Sequence, residues 1–236
     1  MAEGLRLVQD TIAGGAKVVA VLAADDVAGT SAAAVLADAA ARGIEAQVTA
    51  RQEFDALADT DTPSGVVAVV EWEPGRMEDA SRTGGGPLRV LVLDGVQDPG
   101  NVGTMIRTAH AMGVWMTVAL DGTADPRSAK VIRASMGSVF RHPVVAGTFP
   151  EFDDLRRRLD LALWVASTDG EPMDRLTREP GDDVALVIGS EGRGPRDDWR
   201  ALDHVRVAVS MPGGTESLNA GVAAGILLYE LTRAPR

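Results

Sequence analysis

The feature that most constrains this chain is alternation. Short apolar runs of strand-like composition take turns with helix-like runs along nearly its whole length. Residues 17–22, 44–48 and 65–70 read as strands, with helices expected at 31–41 and 51–57 between them. Strands return at 89–93, 115–120, 161–166, 184–188 and 205–209, with helices between them and a last helix over 218–233. This order predicts an α/β protein with a mainly parallel sheet in each part. The Gly- and Pro-rich stretch 73–87 lacks periodicity. A linker at 76–87 is therefore expected between a small domain, 1–75, and a larger one, 88–236.

Composition removes several classes of chemistry. The 236 residues include no cysteine, which excludes disulfide scaffolds, thiol catalysis and cysteine-ligated metal sites. His110, His142 and His204 are too scattered to suggest a metal cluster, so no metal is expected. No apolar run approaches the roughly 20 residues of a membrane span. The start, Met1-Ala2-Glu3-Gly4, has neither the basic nor the apolar region of a secretory signal, and a cytoplasmic protein is expected.

The net charge of −11 first argues against a nucleic-acid partner, because phosphate binding needs positive charge. Charge is uneven, however. Residues 1–90 hold 7 basic and 14 acidic side chains, whereas residues 99–148 hold Arg107, Arg127, Lys130, Arg133 and Arg141 against only Asp121 and Asp125. Of the 23 basic residues 21 are arginine, the side chain suited to bidentate phosphate contacts. Net charge limits the field of the whole protein, not the sign of each cleft.

Three segments could carry chemistry. In the first, residues 93–109, a buried strand runs through a Pro-Gly turn into a helix starting near Asn101. Helical spacing puts Val102, Met105, Ile106, Ala109 and Met112 on one apolar stripe, and Asn101, Thr104, Arg107 and Thr108 on a separate arc. Asn101 can be read as an N-cap or as a site residue presented at the carboxyl end of a strand, where α/β sheets bind ligands. The second segment, 187–194, is a glycine-rich turn that matches neither a dinucleotide fingerprint nor a Walker A loop, and an ordinary tight turn is a competing reading. In the third, 209–230, a glycine-rich loop leads into a helix near Ser217, itself a possible N-cap. That helix is dominated by small and apolar residues, which suggests close backbone packing.

Taken in order, these segments resemble the SpoU (TrmH-type) family of RNA ribose 2′-O-methyltransferases of the SPOUT superfamily. The family's D-P-x-N-x-G-x-x-x-R-T-A pattern stands at residues 98–109, its G-x-E-G-x-G at 189–194, and its S-L-N to Y-E stretch within 209–230. The resemblance covers about residues 88–233, with a weaker likeness of 1–75 to the family's small α/β substrate-recognition domain. It implies a trefoil-knotted, mainly parallel catalytic domain that binds S-adenosylmethionine and works as a homodimer on structured RNA. Ribosomal RNA is favoured over tRNA. Arg107, Asn101, Ser217, Asn219 and Glu191 would be the polar active-site residues. Gly189, Val209, Met211, Leu218, Thr168, Gly170 and Gly192 would meet the cofactor, and Arg127, Lys130, Arg133 and Arg141 the RNA. The chain departs from the family pattern at Ser210, Ala220-Gly221 and Pro195-Arg196, where Pro, Val-Ser and Leu-Ser are frequent. The rival readings are a non-catalytic RNA-binding protein on the same fold and an α/β enzyme binding nucleotide phosphate.

Overall fold

A computed structural model describes residues 1–58, 60, 62–82, 84–176 and 182–233. The first part contains β1 (Ala2–Glu3), α1 (Leu5–Ala13), β2 (Val18–Ala24), α2 (Asp25–Ala28), α3 (Ala33–Ala41), β3 (Glu45–Thr49), α4 (Arg51–Leu57) and β4 (Val66–Val70). Its four strands lie in the order β1-β4-β2-β3. Only β2 and β3 pair in parallel; β4 runs antiparallel to both β1 and β2. This corrects the expectation of a mainly parallel sheet here. β1, only two residues long, and α1 were not among the expected elements, although Leu7, Val8, Thr11 and Ile12 fall on one buried face of α1 at helical spacing.

The second part contains β5 (Arg89–Asp94), α5 (Pro99–Ala111), β6 (Met116–Leu120), α6 (Ala129–Ala134), β7 (Val144–Gly147), α7 (Phe149–Leu159), β8 (Ala162–Pro172), β9 (Val184–Gly189), β10 (Val205–Ala208) and α8 (Ala220–Thr232). Its sheet has the order β10-β8-β9-β5-β6-β7, and every pairing is parallel. Alternate residues face opposite layers, as the strand period of two requires. Leu91, Leu93, Leu186 and Ile188 join a core with α5 and α8, while Val90, Val92, Ala185 and Val187 join one with α7 and Trp199. Both faces are therefore covered, which explains why these strands read as continuous apolar runs.

The two parts share their first core, which includes Leu7, Val8 and Ile12 of α1 together with Val102, Val131 and Val139. Trp72 meets Phe140 edge-on with centroids 5.8 Å apart. A side chain at Gly14 would collide with the stem of Arg141, and one at Gly137, where φ is +73°, would meet Leu7. The stretch expected to be a plain linker is also anchored. Gly75 bridges to Val145 beside β7, and Met77 is buried in a short 3-10 turn.

Candidate active site

The site is assembled at the carboxyl ends of β5, β8, β9 and β10. After β5 the chain turns, and α5 begins with Pro99, whose missing N–H costs nothing at that position. The Asp98 carboxylate accepts the Asn101 backbone N–H at 2.7 Å, so Asp98 is the cap and Asn101 is not. The Asn101 side chain is thereby left for other work, and it is buried. Val102, Met105, Ile106 and Ala109 are buried on the predicted stripe, whereas Thr104 and Arg107 are exposed. Gly103 lets α5 approach α6 closely, since a Cβ there would lie 2.5 Å from that of Ala134.

The loop after β9 folds back on itself. Ser190 and Gly194 exchange backbone hydrogen bonds of 3.2 and 2.8 Å, and a Cβ on Gly189 would stand 2.1 Å from the Pro195 nitrogen. Only glycine fits at position 189. Glu191 sits on this loop, and its Oε1 accepts from Asn101 Nδ2 at 2.5 Å, Asn219 Nδ2 at 3.3 Å and the Ala220 N–H at 3.4 Å.

After β10 the chain reaches α8, whose cap is Asn219 rather than Ser217. Asn219 Oδ1 accepts from the N–H groups of Gly221 and Val222, and its Nδ2 donates to Asn101 Oδ1 at 3.1 Å. Asn101, Glu191 and Asn219, from three distant segments, thus form one hydrogen-bonded cluster. A side chain at Gly221 would come within 3.2 Å of both asparagine oxygens, which accounts for a glycine at this helix start.

Residues 165–169 of β8 and the segments following β9 and β10 line a cleft of about 1080 Å³. Of the residues expected to hold a cofactor, Thr168, Gly189, Val209, Met211 and Leu218 line it, as do Ser217, Asn219 and Glu191. Gly170 and Gly192 do not. Gly170 lies where β8 meets β10, with the Val207 backbone filling the place of a Cβ, and Gly192 has open space around it. Apolar groups (Ile188, Val209, Met211, Leu218) and polar ones (Thr168, Ser217) alternate around the walls. That mixture suits an amphiphilic ligand such as a nucleoside bearing an amino acid, and the size lies near the upper end of small-molecule sites.

The cationic island divides once partners are assigned. Arg127 is bound by Asp125 and Glu73, and its hydrogen bond is the main cause holding the Asp125 carboxyl below its ordinary range. Arg107 and Lys130 have no hydrogen-bond or ion-pair partner among the described residues, and Nη1 of Arg133 is buried without one. Arg141 reaches only the Met136 carbonyl, at 3.5 Å. His142 is buried, 2.8 Å from the Thr117 hydroxyl, and burial followed by the nearby His110 pushes its pKa down to about 4. His110 contacts Ser138 and is lowered by burial and then by Arg141. Among the described residues no group of side chains could hold a metal ion.

Sequence reasoning passed over one cluster. Asp94, the acid that ends β5, is 3% exposed and accepts three N–H groups at 2.7 Å: the Arg196 backbone N–H, Arg196 Nε and Trp199 Nε1. Arg196 also binds Asp121, at its carboxylate and its carbonyl, and lies 5.6 Å from the Phe149 ring centre. Burial opposes the Arg196 charge, but Asp94 and Asp121 outweigh it and raise the guanidinium above its ordinary value. The only sequence signals were a carboxylate closing an apolar strand and the Pro195-Arg196 departure.

Comparison with known proteins bears on this geometry. A profile described as the SpoU rRNA Methylase family matches residues 88–229, and one described as RNA 2′-O ribose methyltransferase substrate binding matches residues 1–73. The 23S rRNA (guanosine(2553)-2′-O)-methyltransferase RlmP of Bacillus subtilis (strain 168) is 35% identical over 80% of this chain and 73% of its own length. The 23S rRNA (guanosine-2′-O-)-methyltransferase RlmB of Xylella fastidiosa (strain 9a5c) is 34% identical over 81% and 79%. The crystal structure of an AdoMet-bound rRNA methyltransferase from Sinorhizobium meliloti superposes with a TM-score of 0.81 at 28% identity, covering 97% of this chain and 85% of that one.

Proposed function

Because the chain belongs to the SpoU rRNA methylase family, we propose that it transfers a methyl group from S-adenosylmethionine to a ribose 2′-OH of structured RNA, with rRNA as the substrate. The observation that carries this reading is the Asn101–Glu191–Asn219 cluster at the edge of the cleft, with the unpaired Arg107 six residues further along α5. When bound, S-adenosylmethionine supplies a methyl group on a sulfonium leaving group. The protein's task is alignment, which can supply roughly 7–11 kcal/mol, and stabilisation of the oxygen as it loses its proton. Arg107 does the second. An arginine guanidinium stays charged, so it favours the developing alkoxide and anchors a neighbouring phosphate rather than taking the proton. Asn101 and Asn219, fixed by Glu191, hold the ends of α5 and α8 together, and Ser217 and Leu218 face the cleft beside them.

The cleft's apolar walls and glycine backbone support S-adenosylmethionine as the ligand there, with Gly189, Val209, Met211, Leu218 and Thr168 as its contacts. Lys130, Arg133 and Arg141 are assigned to RNA phosphates together with Arg107. Residues 1–75 are assigned to recognition of the RNA, 76–87 to the connection and 88–236 to methyl transfer. The trefoil knot belongs to the same reading.

A homodimer is part of the proposal. Val222, Ile226 and Tyr229 repeat along one side of α8 and are 52%, 39% and 55% exposed. Spacings of four and three residues put them on one face, and α5 packs beside α8. The deciding experiment is to incubate the protein with total RNA and labelled S-adenosylmethionine and map the product by mass spectrometry. A single ribose-methylated rRNA nucleotide is the expected result. No transfer, with calorimetric binding of RNA but not of S-adenosylmethionine, would favour the non-catalytic alternative. Sedimentation of Ile226→Glu, expected to be monomeric, tests the dimer.

A further inference from the structure

Arg196 ties the exit of the loop after β9 to the ends of the neighbouring strands β5 and β6. Its backbone N–H and Nε grip the buried Asp94 at the end of β5, and its Nη1 and Nη2 reach Asp121 just beyond β6. Trp199, three residues on, donates to the same Asp94 oxygen that accepts the Arg196 N–H, and packs edge-on against Phe149 and Phe152. The loop carrying Glu191 ends at Pro195, immediately before this anchor. That loop is therefore fastened at two points: by Glu191 to α5 and α8, and by Arg196 to the sheet. Without Arg196 the loop's exit would next be held only at Trp199, and the Ser190–Gly194 hairpin, whose bonds other than those of Glu191 are internal, would have more room to move.

We propose that Arg196 is a positioning residue for methyl transfer. By clamping the loop's exit to Asp94 and Asp121, it sets the depth of the cleft and the place of Glu191. The inference rests on the function proposed above. It also gives Asp94 a structural role, since three of the roughly four acceptor positions of its carboxylate hold donors of this loop. Two of those donors come from Arg196 itself; lysine would keep the backbone N–H but not the planar fork whose Nε and Nη1 reach Asp94 and Asp121 at once.

The test uses the full chain with Arg196→Ala and Arg196→Lys. Hydrogen bonds to charged groups are worth enough that losing them weakens S-adenosylmethionine binding at least about tenfold by calorimetry in Arg196→Ala. In the ligand-free protein the loop amides, Gly194 above all, exchange with deuterium at least about tenfold faster. Arg196→Lys, which keeps one charged contact and serves if the alanine variant does not fold, lies between in both measurements. KM for S-adenosylmethionine rises more than kcat falls. Loop exchange equal to that of the native protein overturns the proposal, as does faster exchange with unchanged affinity. So does Arg196→Lys equal to the native protein in both. A native protein that fails to bind S-adenosylmethionine overturns the proposed function instead, and the exchange comparison still decides the clamp.

Discussion

Residues 1–75 and residues 99–148 handle positive charge in opposite ways. The first region has four cations, and each is ion-paired: Arg6 with Asp10, Lys17 with Glu71, Arg42 with Asp38, and Arg51 with both Asp26 and Asp55. The second has five, and among the described residues only Arg127 has a carboxylate partner. A cation that already holds a carboxylate must give it up to bind phosphate, whereas an unpaired one releases only counterions and water. Partner assignment, rather than net charge, therefore says where RNA phosphates can sit. The small domain, if it recognises RNA, does so through neutral groups and shape.

Breaking the comparison at its most consequential point should give the largest effect. Arg107→Ala is expected to lower kcat by about 10²–10³-fold, measured as methyl transfer to rRNA, while calorimetric affinity for S-adenosylmethionine persists. Native turnover in this variant would remove Arg107 from the mechanism.

A second test adds charge to the region that leaves cations unpaired. Folding depresses the His142 pKa to about 4 from the usual 6.5, so the folded state resists protonation and the unfolded state does not. The stability tied to His142 is complete above pH 6.5 and is lost as pH falls from 6.5 towards 4. The loss amounts to as much as about 3 kcal/mol. Urea denaturation at a series of pH values should show this fall, and His142→Asn should flatten that window. A native curve level between pH 6.5 and 4 would contradict the burial.

The smallest effect sharpens the comparison directly. Lys130→Ala or Arg133→Ala should reduce the slope of log affinity against log salt by about 0.7–0.9 each. Arg6→Ala and Arg42→Ala should leave it unchanged, and Arg127→Ala should fall nearer to these. Filter binding to the methylated RNA across salt concentrations measures all five, and equal slopes would erase the distinction.

Much of the larger domain was legible because its chemistry is local. The stripe of Val102, Met105, Ile106 and Ala109 and the small residues of α8 report their packing directly. Pairing direction in the small sheet was not legible, since whether β4 runs with or against β2 depends on a chain path that no local pattern encodes. Capping shows the same limit at short range. Asp98 and Asn101 are both good caps by residue type, and only the turn geometry makes Asp98 the cap and frees Asn101 for Glu191. Arg127 and Lys130 look equivalent in sequence, yet a turn brings Asp125 onto one and leaves the other open. Arg196 was hardest to read, because its partners lie 102 and 75 residues away.

The cluster that joins Asn101, Glu191 and Asn219 also has a consequence in time. Asn101 is made well before its side-chain partners, which lie 90 and 118 residues later. Until Asn219 and the helix it caps have been made, α5 has neither its polar partners nor the surface of α8 to rest on. A nascent or truncated chain can therefore fold its early strands and remain inert. The site comes into existence only once Asn219 and α8 have been made, so activity itself reports that synthesis has passed this point.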